Sequence, residues 1–347
     1  MPTTTPPLDP QRTLAVVCGA SEWPRLGEQF ASSTAFAATA GRLCSYLVSD
    51  TGLSLADDRL LNLFDDERPP ADQLELIGGF LRDQFTRMGA VDGANAAVLF
   101  TYIGHGVFAL PPHREYCLLI RDTRPNLLEV TSLRVRDLQR TLRDAAGSSA
   151  RLFVLDSCFA AAALEAFQGG DVEQAESAKI DQLLDEEPST GVAMLCAASK
   201  RNPARIGSEY TVFGSALLDT LENGDPGLSG PMSLARVCEL ARLRVKRVEN
   251  APLPETHDPD QSGVKVSARP FFPNRASSDD PEVIATVEPQ THQDLTAAAV
   301  ASRIKRELTQ KDTIISAHDL ITGEFSRLHQ QPELNLADYN NRDPAHF

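Results

Sequence analysis

Short, almost wholly apolar runs alternate along this chain with longer segments whose apolar residues recur every three or four positions. Thr13 to Gly19 (TLAVVCG) is the first apolar run; it ends in glycine and reads as a buried parallel strand. Residues 28–49 follow with Phe36, Ala40, Leu43 and Leu47 at helical spacing, and LLNLFDD (60–66) is a second strand candidate. Residues 70–89 place Leu74, Ile77, Phe80, Leu81 and Phe85 on one face of an amphipathic helix. Ala96 to Ile103 is a third strand and YCLLI (116–120) another; Thr131 opens a helix carrying Leu133, Val135, Leu138 and Leu142. Arg151 to Leu155 is a fourth core strand, continued by a short helix over 160–167. Residues 168–190 are acidic and polar and read as a long mobile loop between two core elements. Beyond it come a strand at 191–197, helices at 213–221 and 232–248, an irregular Pro-rich stretch at 251–262 and a final strand at 264–272.

Apolar strands alternating with amphipathic helices predict an α/β fold, an αβα sandwich whose mainly parallel central sheet is buried on both faces. Three segments are expected: a loose Thr- and Pro-rich arm at 1–12, a main domain at 13–276, and a helical extension at 277–347. In sheets of this kind the active site lies beyond the carboxyl ends of the strands.

Composition narrows the function. The 347 residues carry 33 Lys and Arg against 48 Asp and Glu, a net charge of -15. That balance argues against nucleic acid and against an anionic membrane as partners. Six cysteines, with no CxxC or CxxH pair, are too scattered for a disulfide framework or a structural zinc site, so no metal is assigned. No apolar run reaches about 18 residues, and the first residues lack a basic start and an apolar signal region. A reducing, cytoplasmic setting is the expectation.

The strand ends hold the candidate chemistry. Gly104-His105-Gly106 follows the third strand, and Asp156-Ser157-Cys158 follows the fourth, which sets His105 and Cys158 53 residues apart. If the two strands are neighbours, an imidazole and a thiol can meet there. The thiolate is the nucleophile; the imidazole deprotonates the thiol and later protonates a leaving amine. The amides of Gly106 and Cys158 are candidates for binding the developing oxyanion. Asp156, two residues before the nucleophile, could stand beside it and select a cationic side chain. The plainer alternative is that Asp156 merely caps the helix that follows. The other five cysteines read as core residues.

TYIGHG and VLDSCFA resemble the two motifs of the caspase-like cysteine peptidases, in particular the bacterial metacaspase, orthocaspase and paracaspase branch. A histidine about 50 residues before the cysteine is known from caspases. The resemblance covers roughly residues 12–276, with softer echoes in LAVVCG, CLLIRDT and residues 197–224. It implies a caspase-like αβα domain, Cys158 as nucleophile and His105 as general acid and base. It also implies Asp156 as the S1 acid for Arg or Lys at P1, with Asp122 as a looser match to a second pocket acid. The Q-A-C motif tied to aspartate specificity is absent. Ile103, Phe159 and Ala160 depart from the family pattern, and the acid usual in the first helix has no counterpart among Ser32, Ser33 and Thr34.

No cofactor motif appears, and calcium is left open because the family's calcium acids are not identifiable by spacing. The acidic loop 168–190 has one basic residue, Lys179, a candidate activation cleavage site for an upstream protease; Arg201 and Arg205 are second choices. The resemblance further implies a regulated bacterial defence or cell-death role, with proteins bearing Arg or Lys at P1 as substrates. The rival reading is a catalytically silent caspase-like scaffold that binds a partner through 277–347.

Overall fold

A computed structural model describes residues 7–27, 30–90, 93–109, 115–158, 191–198, 206–259 and 265–276. The expected helix at 160–167, the loop 168–190 with Lys179, Arg201 and Arg205, and the extension 277–347 lie outside the described residues.

A six-stranded sheet organises the molecule. In chain order its strands are β1 (Thr13–Gly19), β2 (Leu60–Phe64), β3 (Ala97–Ile103), β7 (Ala150–Asp156), β8 (Val192–Cys196) and β10 (Glu255–His257). Across the sheet they run β10-β8-β7-β3-β1-β2. All pairings are parallel except β10 on β8. The three long strands β1, β3 and β7 are buried at every position, as continuous apolar runs in a doubly covered sheet should be.

Side-chain alternation assigns each strand residue to one of two cores. Ala15, Val17, Leu99, Leu152, Val154 and Leu195 pack with helices α1 (Thr34–Val48), α4 (Val212–Asn223) and α5 (Leu234–Val245). Leu14, Val16, Phe100, Tyr102, Phe153 and Met194 pack with α2 (Pro70–Arg87) and α3 (Val135–Ala146). Each large apolar side chain fully buried in these layers stabilises by about 1.5–3 kcal/mol. The result is an αβα sandwich with a mainly parallel central sheet.

The helix ends follow local chemistry. Ser33 caps α1 by accepting from the amide of Ala35 at 3.2 Å, so the helix begins at Thr34, inside the segment the periodicity marks. Thr211 caps α4 by accepting from Gly214 N at 3.0 Å. Arg42 of α1 ties the two helices, donating to Glu222 at 3.0 and 2.6 Å and to Asp219 at 2.7 Å.

Five expectations needed adjustment, two of them at helix starts: the helix expected from Thr131 begins at Val135 because Leu133–Arg134 pairs as a strand, and the one expected from 232 begins at Leu234 because Met232–Ser233 does the same. The YCLLI run belongs to a separate three-stranded sheet of β4 (Gly106–Phe108), β5 (Tyr116–Leu118) and β6 (Leu133–Arg134). The irregular 251–262 stretch contains β10, whose three residues are too few to show any periodicity. The 264–272 run is a 3-10 turn at Val266–Ala268 and then β11 (Pro270–Phe272), which pairs with β9 (Met232–Ser233) and not with the main sheet. Among the described residues no helix is long and apolar enough to cross a membrane.

Candidate active site

Strands β3 and β7 are neighbours, and their register runs from Ala97↔Ala150 to Ile103↔Asp156. The ladder continues one step further, with Gly104 N donating to Asp156 O at 3.1 Å. His105 and Cys158 are each two residues beyond the last paired position, so they leave the sheet side by side at its carboxyl edge. A Cβ on Gly106 would stand 2.8 Å from the carbonyl oxygen of Cys158, which places the backbones of these two residues in direct contact. The two amides assigned to the oxyanion therefore belong to adjoining backbone segments.

The imidazole of His105 sits among aromatic rings. Its centroid lies 4.4 Å from Trp23, 5.3 Å from Phe36 and 5.7 Å from Phe30. Nε2 is 3.1 Å from the carbonyl oxygen of Ala31. A carbonyl can only accept, so in the neutral ring Nε2 carries the proton and Nδ1 keeps its lone pair. Burial lowers the His105 pKa below its ordinary 6.5, and the Ala31 hydrogen bond partly offsets that. Sequence reasoning missed the loop residues Trp23, Phe30 and Ala31. Only the lone tryptophan, just past the end of β1, offered a signal.

Two buried phenols lie under the pair. Tyr102 Oη lies 2.7 Å from the carbonyl oxygens of both His105 and Leu119 and shares its one proton between them, and Trp23 Nε1 donates to the same Leu119 oxygen at 3.2 Å. Tyr116 Oη donates to the carbonyl oxygen of Cys158 at 2.5 Å and is 3.0 Å from Ser157 Oγ. The phenol proton being committed to Cys158, the serine hydroxyl is left to donate to the phenol oxygen.

Asp156 does not stand open beside the nucleophile. It continues the alternation of Leu152 and Val154 and so falls on the α1–α4 side of the sheet, where its residue is only 3% exposed. Thr211 Oγ1 donates to its Oδ2, the Thr211 amide donates to Thr39 Oγ1 at 3.0 Å, and the Gly214 amide also reaches the carboxylate. Burial dominates its titration and pushes the carboxyl up from 3.8 to about 7, against the pull of the Thr211 and Gly214 hydrogen bonds. The alternative of Asp156 capping the helix after Cys158 falls on residues outside the described set, but its carboxylate is already engaged at the N-terminus of α4. Asp122 is held elsewhere, in ion pairs with Arg25 and, at 3.5 Å, Arg124. Among the described residues the two carboxylates have no partner in common.

Among the described residues no group of three or more His, Cys, Asp or Glu side chains could hold a metal ion. Cys18, Cys117, Cys196 and Cys238 are buried, and burial raises each thiol pKa; Cys44 is half-buried and raised for the same reason.

Neither the protein-family models nor the curated proteins give a match to this chain. Among solved structures, the chain is similar to caspase-1 from Spodoptera frugiperda, at 13% identity and a TM-score of 0.47, over 76% of this chain and 90% of that one. It is also similar to protein GSU0716 from Geobacter sulfurreducens, at 15% identity and a TM-score of 0.44, over 74% of this chain and 99% of that one.

Proposed function

We propose that this chain is a caspase-like cysteine endopeptidase that cuts after Arg, and less readily after Lys. The observation that carries the proposal is the parallel β3–β7 register, which delivers His105 and Cys158 side by side at the sheet edge. With Nε2 committed to Ala31, Nδ1 of His105 takes the thiol proton. The Cys158 thiolate attacks the scissile carbonyl carbon, and the amides of Gly106 and Cys158 receive the oxyanion. The imidazolium then protonates the departing amine, and water, deprotonated by the same imidazole, hydrolyses the thioester.

Asp156 is the residue for the P1 cation. Its carboxyl is held near neutrality by burial, and an arriving guanidinium would return it to the charged form through a charge-assisted pair. In the arrangement described here Thr211 occupies one of its oxygens, so a P1 cation would have to displace that hydroxyl. Asp122 is the weaker of the two pocket assignments because two arginines already neutralise it. Cleavage at Lys179 by an upstream activating protease and a defence role complete this reading on the strength of the motif resemblance; calcium is left to the test below.

The engagement of both acids favours one rival, a catalytically silent scaffold. Fluorogenic peptides with Arg, Lys, Asp or Leu at P1 separate the two. They would be tested with and without calcium, before and after limited trypsin nicking, and with Cys158→Ala as control. Cleavage after Arg that Cys158→Ala abolishes supports the peptidase. No cleavage under any condition, with no labelling by an Arg-type electrophilic inhibitor, supports the scaffold.

A further inference from the structure

The GHG turn and the DSC turn are both built around phenols, and this carries an inference that rests on the reading of His105 and Cys158 as a working pair. A Cβ on Gly104 would stand 2.8 Å from Tyr102 Oη, and one on Gly106 would stand 2.1 Å from Tyr116 Oη. Each glycine flanking His105 thus leaves room for one hydroxyl. The hydroxyls in turn reach one main-chain carbonyl of each reacting residue: Tyr102 that of His105 at 2.7 Å, Tyr116 that of Cys158 at 2.5 Å. We propose that Tyr102 and Tyr116 are positioning residues, each pinning the backbone of one member of the pair so that thiol and imidazole stay within proton-transfer reach.

The physics favours permanent pins. Tyr102 and Tyr116 are 0% and 6% exposed, and a buried phenol seeks a partner because leaving it unpaired costs more than an ordinary hydrogen bond returns. Burial is the leading cause that moves both phenols far above the ordinary 10, so each remains a donor wherever the thiol chemistry operates. Cys158 lies past the end of its strand, and its carbonyl takes the Tyr116 bond at the point where ladder pairing has stopped. His105 O receives two donors, Tyr102 Oη and the Leu119 amide at 2.9 Å. Tyr46 supplies a comparison: it is also buried, but its hydroxyl has no hydrogen-bond partner among the described residues.

The test uses the full chain and needs no peptidase activity. The rate at which iodoacetamide alkylates Cys158 is followed by mass spectrometry of its peptide, from about pH 5 to about pH 9.5, spanning the ordinary thiol value. In the unmodified protein, reactivity should persist well below that value, and His105→Ala should abolish the acid-side portion. Tyr116→Phe, which deletes one oxygen, should lower the acid-side rate about 10-fold and leave the alkaline rate, where the thiolate forms unaided, unchanged. Tyr102→Phe should act in the same direction through the imidazole, and Tyr46→Phe should match the unmodified protein throughout. The pinning role is overturned if Tyr116→Phe and Tyr102→Phe both keep the unmodified profile. It is equally overturned if they lower the rate evenly at all pH values, which marks general loosening, or if Tyr46→Phe reproduces their effect. If His105→Ala itself changes nothing, the dyad reading fails first and the pinning role falls with it. Should Tyr116→Phe not fold, Tyr102→Phe carries the same decision.

Discussion

Replacing Asp156 by asparagine removes an ionisation from the core while keeping an acceptor for Thr211. Moving a carboxyl from its ordinary 3.8 to about 7 corresponds to about 4 kcal/mol between its protonated and ionised forms, at about 1.36 kcal/mol for each factor of ten. The sign follows from proton binding. Between those two values the folded protein holds a proton that the unfolded chain has released, so stability falls as pH rises. Of the total, about 2 kcal/mol should be lost between about pH 5.5 and about pH 8, and the loss should level off above that. Urea unfolding of both proteins at the two pH values measures it, because the difference between wild type and Asp156→Asn cancels the titration of every distant group. The wild type should lose about 2 kcal/mol more than the variant over this interval. Parallel stabilities would mean that Asp156 is hydrated in solution, and the account of its burial would be wrong.

Four other outcomes are expected. Gly106→Ala should destabilise by about 3 kcal/mol in thermal or urea unfolding, since its Cβ would overlap Tyr116 Oη, and adding Tyr116→Phe should recover part of that loss. The C2 proton of His105, followed by NMR, should titrate below 6.5, and Phe36→Ala should move the midpoint up by admitting water to the imidazole. Because a lowered folded value means the unfolded chain gains a proton first, this histidine should cost stability as pH drops through 6.5, a contribution that His105→Gln removes from the unfolding profile. Cys158 should be the most rapidly alkylated of the six cysteines near neutral pH, ahead of the half-buried Cys44, as peptide mass spectrometry would register.

How far the sequence could carry these conclusions depends on what each feature needed. The long strands were readable because β1, β3 and β7 are buried on both faces, and an uninterrupted apolar run is the mark of that. The GHG and DSC turns stood out because sites in parallel α/β sheets lie past strand ends, and the adjacency of β3 and β7, assumed from the sequence, is what the register shows. The face of Asp156 was within reach, since counting by twos from Leu152 and Val154 puts it on the α1–α4 side, but its Thr211 partner, 55 positions away, was not. The role of Tyr116 was out of reach, since its partners are 41 and 42 positions away and nothing local announces them. The one available hint was a phenol inside the apolar YCLLI run, which had to find an acceptor somewhere. β10 stayed hidden because Glu255–His257 is half-buried throughout and has no alternation to read.

The seam between β7 and β8 has a thermodynamic consequence. The strands are held by parallel pairing from Arg151↔Val192 to Leu155↔Cys196 and by a shared core, contacts that do not depend on the covalent path between Cys158 and Gly191. Severing that path would leave two polypeptides, one bearing His105, Cys158 and Asp156, the other bearing Thr211 at the head of α4. Folding would then obey mass action between the two pieces: every tenfold dilution would take about 1.4 kcal/mol from the assembled state, and the melting temperature would shift with concentration. The grip on the Asp156 carboxylate would become a property of the association itself, set by how much of the second polypeptide is bound.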